Sequence, residues 1–311
     1  MATVFKQLLA NDLTSVRQLI HESVPITGAL LSGTYGAFTQ EENVKNFSHG
    51  MWQAIYDYPY LSSSANHILD ITCGFSNDSA LSLSSPGTQQ VKKINIYNQM
   101  AQLLMGYDHT GSIQLFDEDG NILAGGTKIR EAYFISFARL LAKDEIKKGS
   151  FNLQLASSHA FPSASQQRIT ITDTGAQNDF RVNSPAGEYG ILSQSLTGMP
   201  AGVTDGLCGL IFYQAGLVVL TASIFAGSPT GSMSASVIAN ANSGSFVQML
   251  TGSEISSSAD AFRHRMYNVS FNNTTELNST IYFIRINHNE FNYSSNPTYL
   301  SGSKIRVKNN T

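Results

Sequence analysis

Two periodicities meet in residues 91–155, and together they restrict the chain to a mixed, strand-dominated fold. Ile94, Tyr97, Met100, Ala101, Leu104 and Met105 recur at helical spacing and stop at Gly106, which predicts a short amphipathic helix. Ile113, Leu115 and Ile122 then flank Asp117-Glu118-Asp119-Gly120-Asn121, a glycine-bearing hairpin turn. Tyr133, Ile135 and Phe137 alternate and favour a strand over 131–141, although that stretch also suits a helix. Phe151, Leu153 and Leu155 alternate cleanly.

The same alternation marks strands elsewhere. HILDITCGF (67–75) reads as a buried strand, followed by a Ser/Gly/Pro-rich link at 76–90 that would serve as a hinge. Beyond residue 156 come RITIT (168–172), FRVN (180–183), NVSF (268–271), TIYFIRI (280–286) and KIRV (304–307). The apolar run 206–227 is long enough to test as a membrane span. Tyr213-Gln214-Ala215-Gly216 breaks it in the middle, so two buried strands and a tight turn are the better reading. A helix over 234–250 is weakened by Gly244.

At the start of the chain, Val4, Leu8, Leu9, Val16, Leu19 and Ile20 suggest two short helices or one kinked helix over 3–22, N-capped by Thr14 or Asp12 and ended by Pro25. Residues 26–35, with paired glycines, read as an extended arm or loop. The expectation is therefore a β-rich α+β chain, with antiparallel β-sandwich-like regions and N-terminal helices. Its parts would be residues 1–75 (helices, arm and an aromatic cluster), 76–156 (helix plus strands) and 157–311 (antiparallel β). The chain stops at Lys308-Asn309-Asn310-Thr311, just past a strand, which reads either as a frayed terminus or, the favoured expectation, as a last sheet that continues beyond 311.

Composition then narrows the function. Charged residues make up 13% of the 311, against roughly 25% in an ordinary domain. A surface so short of charge loses little hydration when covered, and interface cores are themselves poor in Lys, Glu and Asp. The net charge of −3 offers no basic stripe for nucleic acid or an anionic membrane. Cys73 and Cys208 lie far apart in apolar settings and read as buried free thiols, which suits a reducing cytosol. Candidate interface residues are the aromatics Trp52, Tyr56, Tyr58 and Tyr60, together with the charge cluster at Lys143, Asp144 and Glu145. The charge cluster also reads as a solvated connection between strands.

Motifs that imitate chemistry fall short of it. Asp173-Thr174-Gly175 resembles an aspartic-protease loop, but that chemistry needs two carboxylates sharing a proton and the triplet occurs once. Asp117, Asp119 and Asn121 imitate a calcium loop, yet Lys128 occupies the position of the required bidentate Glu. The seven histidines lack metal spacing, and no cysteine pairs accompany them; His49 and His67, among aromatics, read as packing or hydrogen-bonding residues. Glu188, Glu254 and Glu290 stand singly where a glycoside hydrolase needs a carboxylate pair. Asn268, Asn273 and Asn278 open glycosylation triplets that would stay bare in a bacterial cytosol. No catalytic, cofactor or metal residue is assigned, and no cofactor is expected.

Five segments carry a resemblance: SHGMWQAIYDYPYLSSSANHILDIT (48–72), KINIYNQMAQLLMGYD (93–108), FISFARLLAKDEIKKGSFNLQL (134–155), GLIFYQAGLVVLTASIF (209–225) and FNYSSNPTYLSGSKIRV (291–307). They resemble large virion structural proteins of tailed bacteriophages, especially contractile-tailed phages of marine cyanobacteria and their relatives. The resemblance implies a virion component, assembled in the host bacterial cytoplasm as a symmetric homo-oligomer and in contact with other virion proteins. Neck, tail or baseplate is the expected location. The alternatives are a receptor- or glycan-binding tail module using the exposed aromatics, and a minor or decorating capsid protein. No nucleic-acid or membrane partner is expected.

Overall fold

The computed structural model describes residues 8–31, 42–82, 87–121, 126–156, 168–197, 206–225, 250–251, 254–284, 300–301 and 304–305. In chain order the elements are β1 (Leu13–Thr27), α1 (Gly28–Leu31), β2 (Val44–Asn46), β3 (Gln53–Tyr56), β4 (His67–Phe75), α2 (Thr88–Leu104), β5 (Phe116–Asp117) and β6 (Lys128–Ile129). There follow β7 (Glu131–Phe137), α3 (Arg139–Ala142), β8 (Glu145–Ile146), β9 (Asn152–Ala156), β10 (Arg168–Thr172), β11 (Arg181–Ser184) and β12 (Gly187–Thr197). The last are β13 (Gly206–Phe212), β14 (Leu217–Thr221), α4 (Ile255–Arg263), β15 (Met266–Tyr282), β16 (Leu300–Ser301) and β17 (Lys304–Ile305). The chain is thus a β-rich α+β protein.

Its contacts divide it into two units, Ile20–Thr275 on the one hand and Met1–Leu19 with Glu276–Thr311 on the other. The boundaries expected at 75/76 and 156/157 both fall inside the larger unit, where β9 pairs with β10 across the second of them.

In the larger unit the strands form one hydrogen-bonded path, β15-β9-β10-β12-β13-β14-β7-β4-β3-β2, with β11 added on β12 and β8 on β15. Every one of these registered pairs is antiparallel. The expected two-sheet sandwich is therefore replaced by a single open path. That path curls until one face packs on itself: the Phe137 ring of β7 lies 6.2 Å from Phe151 and 4.9 Å from Phe271 of β15. Strand twist, which accumulates over many neighbours, supplies the curl.

Two helices cover opposite faces near β4, and alternation along the strands shows which. Gly74 of β4 meets α2, where an added Cβ would fall 2.5 Å from the Lys93 carbonyl and 2.9 Å from the Tyr97 amide. Cys73, next in line, points the other way; its cross-strand partner Tyr133 stacks on Phe262 of α4 with centroids 4.8 Å apart. With both faces covered, β7 is apolar except at Glu131 and Ser136, and β14 except at Thr221. The turn after β13 is the one expected, closed by Gly216 at φ 64. No helix among the described residues is long and apolar enough to cross a membrane.

The N-terminal helices are corrected. Ala10–Asp12 is one 3-10 turn, and residues 13–27 form β1, paired to β15. Val16, Leu19 and Ile20 suit a helix by spacing alone, but β-branched residues accept a strand readily once a partner strand is present. Pro25 does not end the segment, because among the described strands β1 pairs with β15 at the end of the sheet and an edge strand tolerates a missing N–H. The described part of the expected arm is packed as well: Ile26 and Leu31 are core residues. In the expected hinge, Ser76 and Ser79 are buried, Ser76 N donates to the Arg130 carbonyl at 2.7 Å, and the Ser79 hydroxyl bonds Glu131. The helix expected over 234–250 lies outside the described residues save for Leu250.

Candidate functional site

Asp173 shows how a motif of catalytic appearance is spent on structure. Its carboxylate is fully buried at the end of β10 and accepts three hydrogen bonds. Gly149 N (2.8 Å) and the Tyr213 hydroxyl (3.0 Å) donate to Oδ2, and Phe151 N donates to Oδ1 at 2.9 Å. Burial raises its pKa, while these donors pull the other way. Asp173 thereby staples the loop before β9 to the β13–β14 turn. Asp117 behaves likewise: it is buried in the β5–β6 hairpin and paired to Lys128, with the turn closed from Gly120 N to Asp117 O at 3.2 Å. Among the described residues no group of three or more His, Cys, Asp or Glu is placed to hold a metal ion.

The aromatic candidates do not form one platform. Trp52, just before β3, is 38% exposed and lies 4.3 Å from the His49 ring and 5.5 Å from Phe47. Tyr56 and Tyr60 are half-buried, 6.3 Å apart, and Tyr56 meets the His67 ring at 5.5 Å. The Lys45 ammonium links the two groups, lying 4.6 Å from the Phe47 centroid and 5.9 Å from that of Tyr60. Tyr58 is 51% exposed on the loop after β3.

Beside Trp52 opens a cavity of about 320 Å³ between α2 and the β4–β7–β14 face. Met100 and Leu103 of α2 close it from one side, and Phe134 and Leu217 from the sheet. Its polar lining is Asp70, Thr72 and Ser136. The Thr72 hydroxyl is committed to the Met51 carbonyl at 2.5 Å, and Asp70 Oδ1 to His67 Nε2 at 2.9 Å. The hydrogen bond that His67 donates to Asp70 raises the His67 pKa against the opposing effect of burial.

Lys143, Asp144 and Glu145 hold a corner of the larger unit together. Lys143, the one described non-glycine residue at positive φ (55), pairs with Glu22 of β1 and lowers the Glu22 pKa. Asp144 N donates to the Thr274 carbonyl at 3.1 Å, leaving its side chain exposed. Glu145 is 3.9 Å from Lys148, which also pairs with Glu188 at 2.5 Å.

Other features went unread in the sequence. Lys93 is fully buried, within 3.5 Å of the Ser258 hydroxyl of α4, and burial depresses its pKa while raising that of the buried Cys73 thiol. Both cysteines are free and buried, as their apolar settings in the sequence predict. Gln53 donates to Asp260 at 2.5 Å, and Arg263 bonds Asp260, Gln53 and the Leu31 carbonyl, which ties α4 to β3 and α1. Ile255, Ala259 and Phe262, spaced i, i+4 and i+7, were the signal for α4. Asn273 is buried with Nδ2 on the Leu141 carbonyl at 2.9 Å, so the acceptor asparagine of its glycosylation triplet is sealed inside the fold.

The smaller unit has a different character. Asp12 O accepts from Phe283 N at 2.7 Å, the Ser15 and Thr280 hydroxyls lie 3.4 Å apart, and Arg17 pairs with Glu276 at 2.5 Å. These contacts run in opposite chain directions, giving an antiparallel pair made of residues 13–19 and 276–282. Every residue of β1 from 13 to 19 is exposed, whichever face its side chain takes. Leu13, Val16, Leu19, Leu277, Ile281 and Tyr282 are all open to water, Val16 at 48% and Ile281 at 50%.

Comparison of the chain with protein-family models, with curated proteins and with solved structures finds no match.

Proposed function

We propose that this chain is a structural subunit of a tailed-bacteriophage virion, placed in the neck, tail or baseplate and working through oligomeric assembly. The observation that carries the reading is the uncovered strand pair of the smaller unit. A two-stranded pair is marginal in water by itself. Single exposed apolar residues are ordinary, but six on two short strand segments, divided by alternation between the two faces of the pair, leave both faces apolar unless something covers them. Among the described residues β1 is an edge strand, and unpaired backbone groups on such an edge recruit a further strand. Covering by sister copies resolves both problems, and heterologous contacts that close produce rings. The 13% charge content and the five virion-like segments point the same way.

Cryo-microscopy of intact particles tests this. The proposal requires density for the chain in a symmetric ring of the neck, tail or baseplate; particles lacking the chain would end it. A second reading, a receptor- or glycan-binding tail module, draws on the exposure of Trp52 and Tyr58. Glycan binding lost in Trp52→Ala, with assembly intact, would favour it.

A further inference from the structure

We propose that the cavity beside Trp52 binds a small organic ammonium ion with an apolar body. Its volume, about 320 Å³, sits at the lower end of the roughly 300–1,000 Å³ usual for ligand pockets. The argument for the ligand class runs through its walls. Met100, Leu103, Phe134 and Leu217 give the body of a ligand an apolar bed. Asp70 and Ser136 are direct cross-strand partners on β4 and β7, so a carboxylate and a hydroxyl stand side by side at one edge of that bed. One Asp70 oxygen is engaged by His67, and the other remains to accept from an ammonium. Trp52 lines the same cavity, and an indole is the aromatic ring that attracts a cation most strongly.

Other ligand classes fit less well. An anion would be repelled by Asp70. A sugar would need partners for many hydroxyls, and Thr72, the third polar group, is already spent on Met51. The site lies within the larger unit and does not depend on assembly, so its failure leaves the virion reading untouched and the reverse also holds.

Trp52 is the only tryptophan, so its fluorescence reports on this cavity alone. The probes are 2-phenylethylamine, the neutral 2-phenylethanol and the anionic phenylacetate, titrated into the full chain in buffer alkaline of the His67 titration. The amine is expected to give a saturable change, the alcohol to bind about tenfold or more weakly, and phenylacetate not to bind. Asp70→Asn should erase the preference of amine over alcohol without altering circular dichroism; Ser136→Ala, should the first variant fold poorly, should weaken the amine several-fold. Equal binding of amine and alcohol, no saturation with the amine, or a preference that survives both substitutions overturns the proposal.

Discussion

Replacing Asp173 by Asn is the sharpest test of the claim that this residue is a staple and not an acid. The carboxylate offers two acceptor oxygens to three buried donors, Gly149 N, Phe151 N and the Tyr213 hydroxyl. An amide offers one oxygen and places an NH₂ where the other oxygen was. The better orientation keeps Gly149 and Tyr213 satisfied and turns the NH₂ toward Phe151 N, 2.9 Å from the atom it replaces. One buried backbone N–H then loses its partner, at about 1–3 kcal/mol. The surviving bonds lose their charge assistance, adding about 1 kcal/mol. Asp173→Asn should therefore cost about 2–4 kcal/mol in urea unfolding at unchanged m-value. Tyr213→Phe removes a single donor and should cost about 1 kcal/mol. The double variant should cost less than the sum, because both act on one network. An Asp173→Asn chain as stable as the parent, or one that loses a proteolytic activity at unchanged stability, would refute the reasoning.

Gly74→Ala should destabilise by about 1–3 kcal/mol, since its Cβ would meet α2 backbone that cannot move alone; thermal unfolding reads this, and an unchanged Tm would contradict the packing of α2 on β4. His67, raised in pKa by Asp70, contributes stability that is present below its unfolded pKa and is lost as pH rises through the higher folded value. Both side chains are about a third exposed, so the contribution should stay under about 1 kcal/mol. The His67 proton resonance should titrate above about 6.5 in the parent and return toward it in Asp70→Asn. Cys73 and Cys208, both buried with raised pKa, should react with a thiol reagent only on unfolding; rapid labelling of the native chain would count against their burial.

Much of the strand content was legible because burial and alternation coincide. HILDITCGF, RITIT and the run broken at Tyr213–Gly216 all became β4, β10 and the β13–β14 hairpin. The α2 stripe from Ile94 to Leu104 was equally plain, since one face meets the sheet. What failed was set by long-range pairing. Residues 13–27 carry a pattern open to helix or strand, and β15, some 250 positions later, decides it. Curling of one sheet, in place of two stacked ones, leaves the same alternation on each strand and so leaves no local trace. Of the site residues, sequence singled out Trp52 by its rarity and aromatic neighbours. Asp70 and Ser136 were invisible because register alone brings them together. The Lys143–Glu145 cluster was seen, but Glu22, the partner of Lys143, lies far off in the chain.

Sedimentation velocity of the purified chain over a range of concentrations bears most directly on assembly. The account predicts a discrete, closed oligomer that reverts to monomer when Val16 and Ile281, half-exposed on the strand pair, are both replaced by Lys. A parent chain that stays monomeric at every concentration, with the double variant indistinguishable from it, would contradict the central claim.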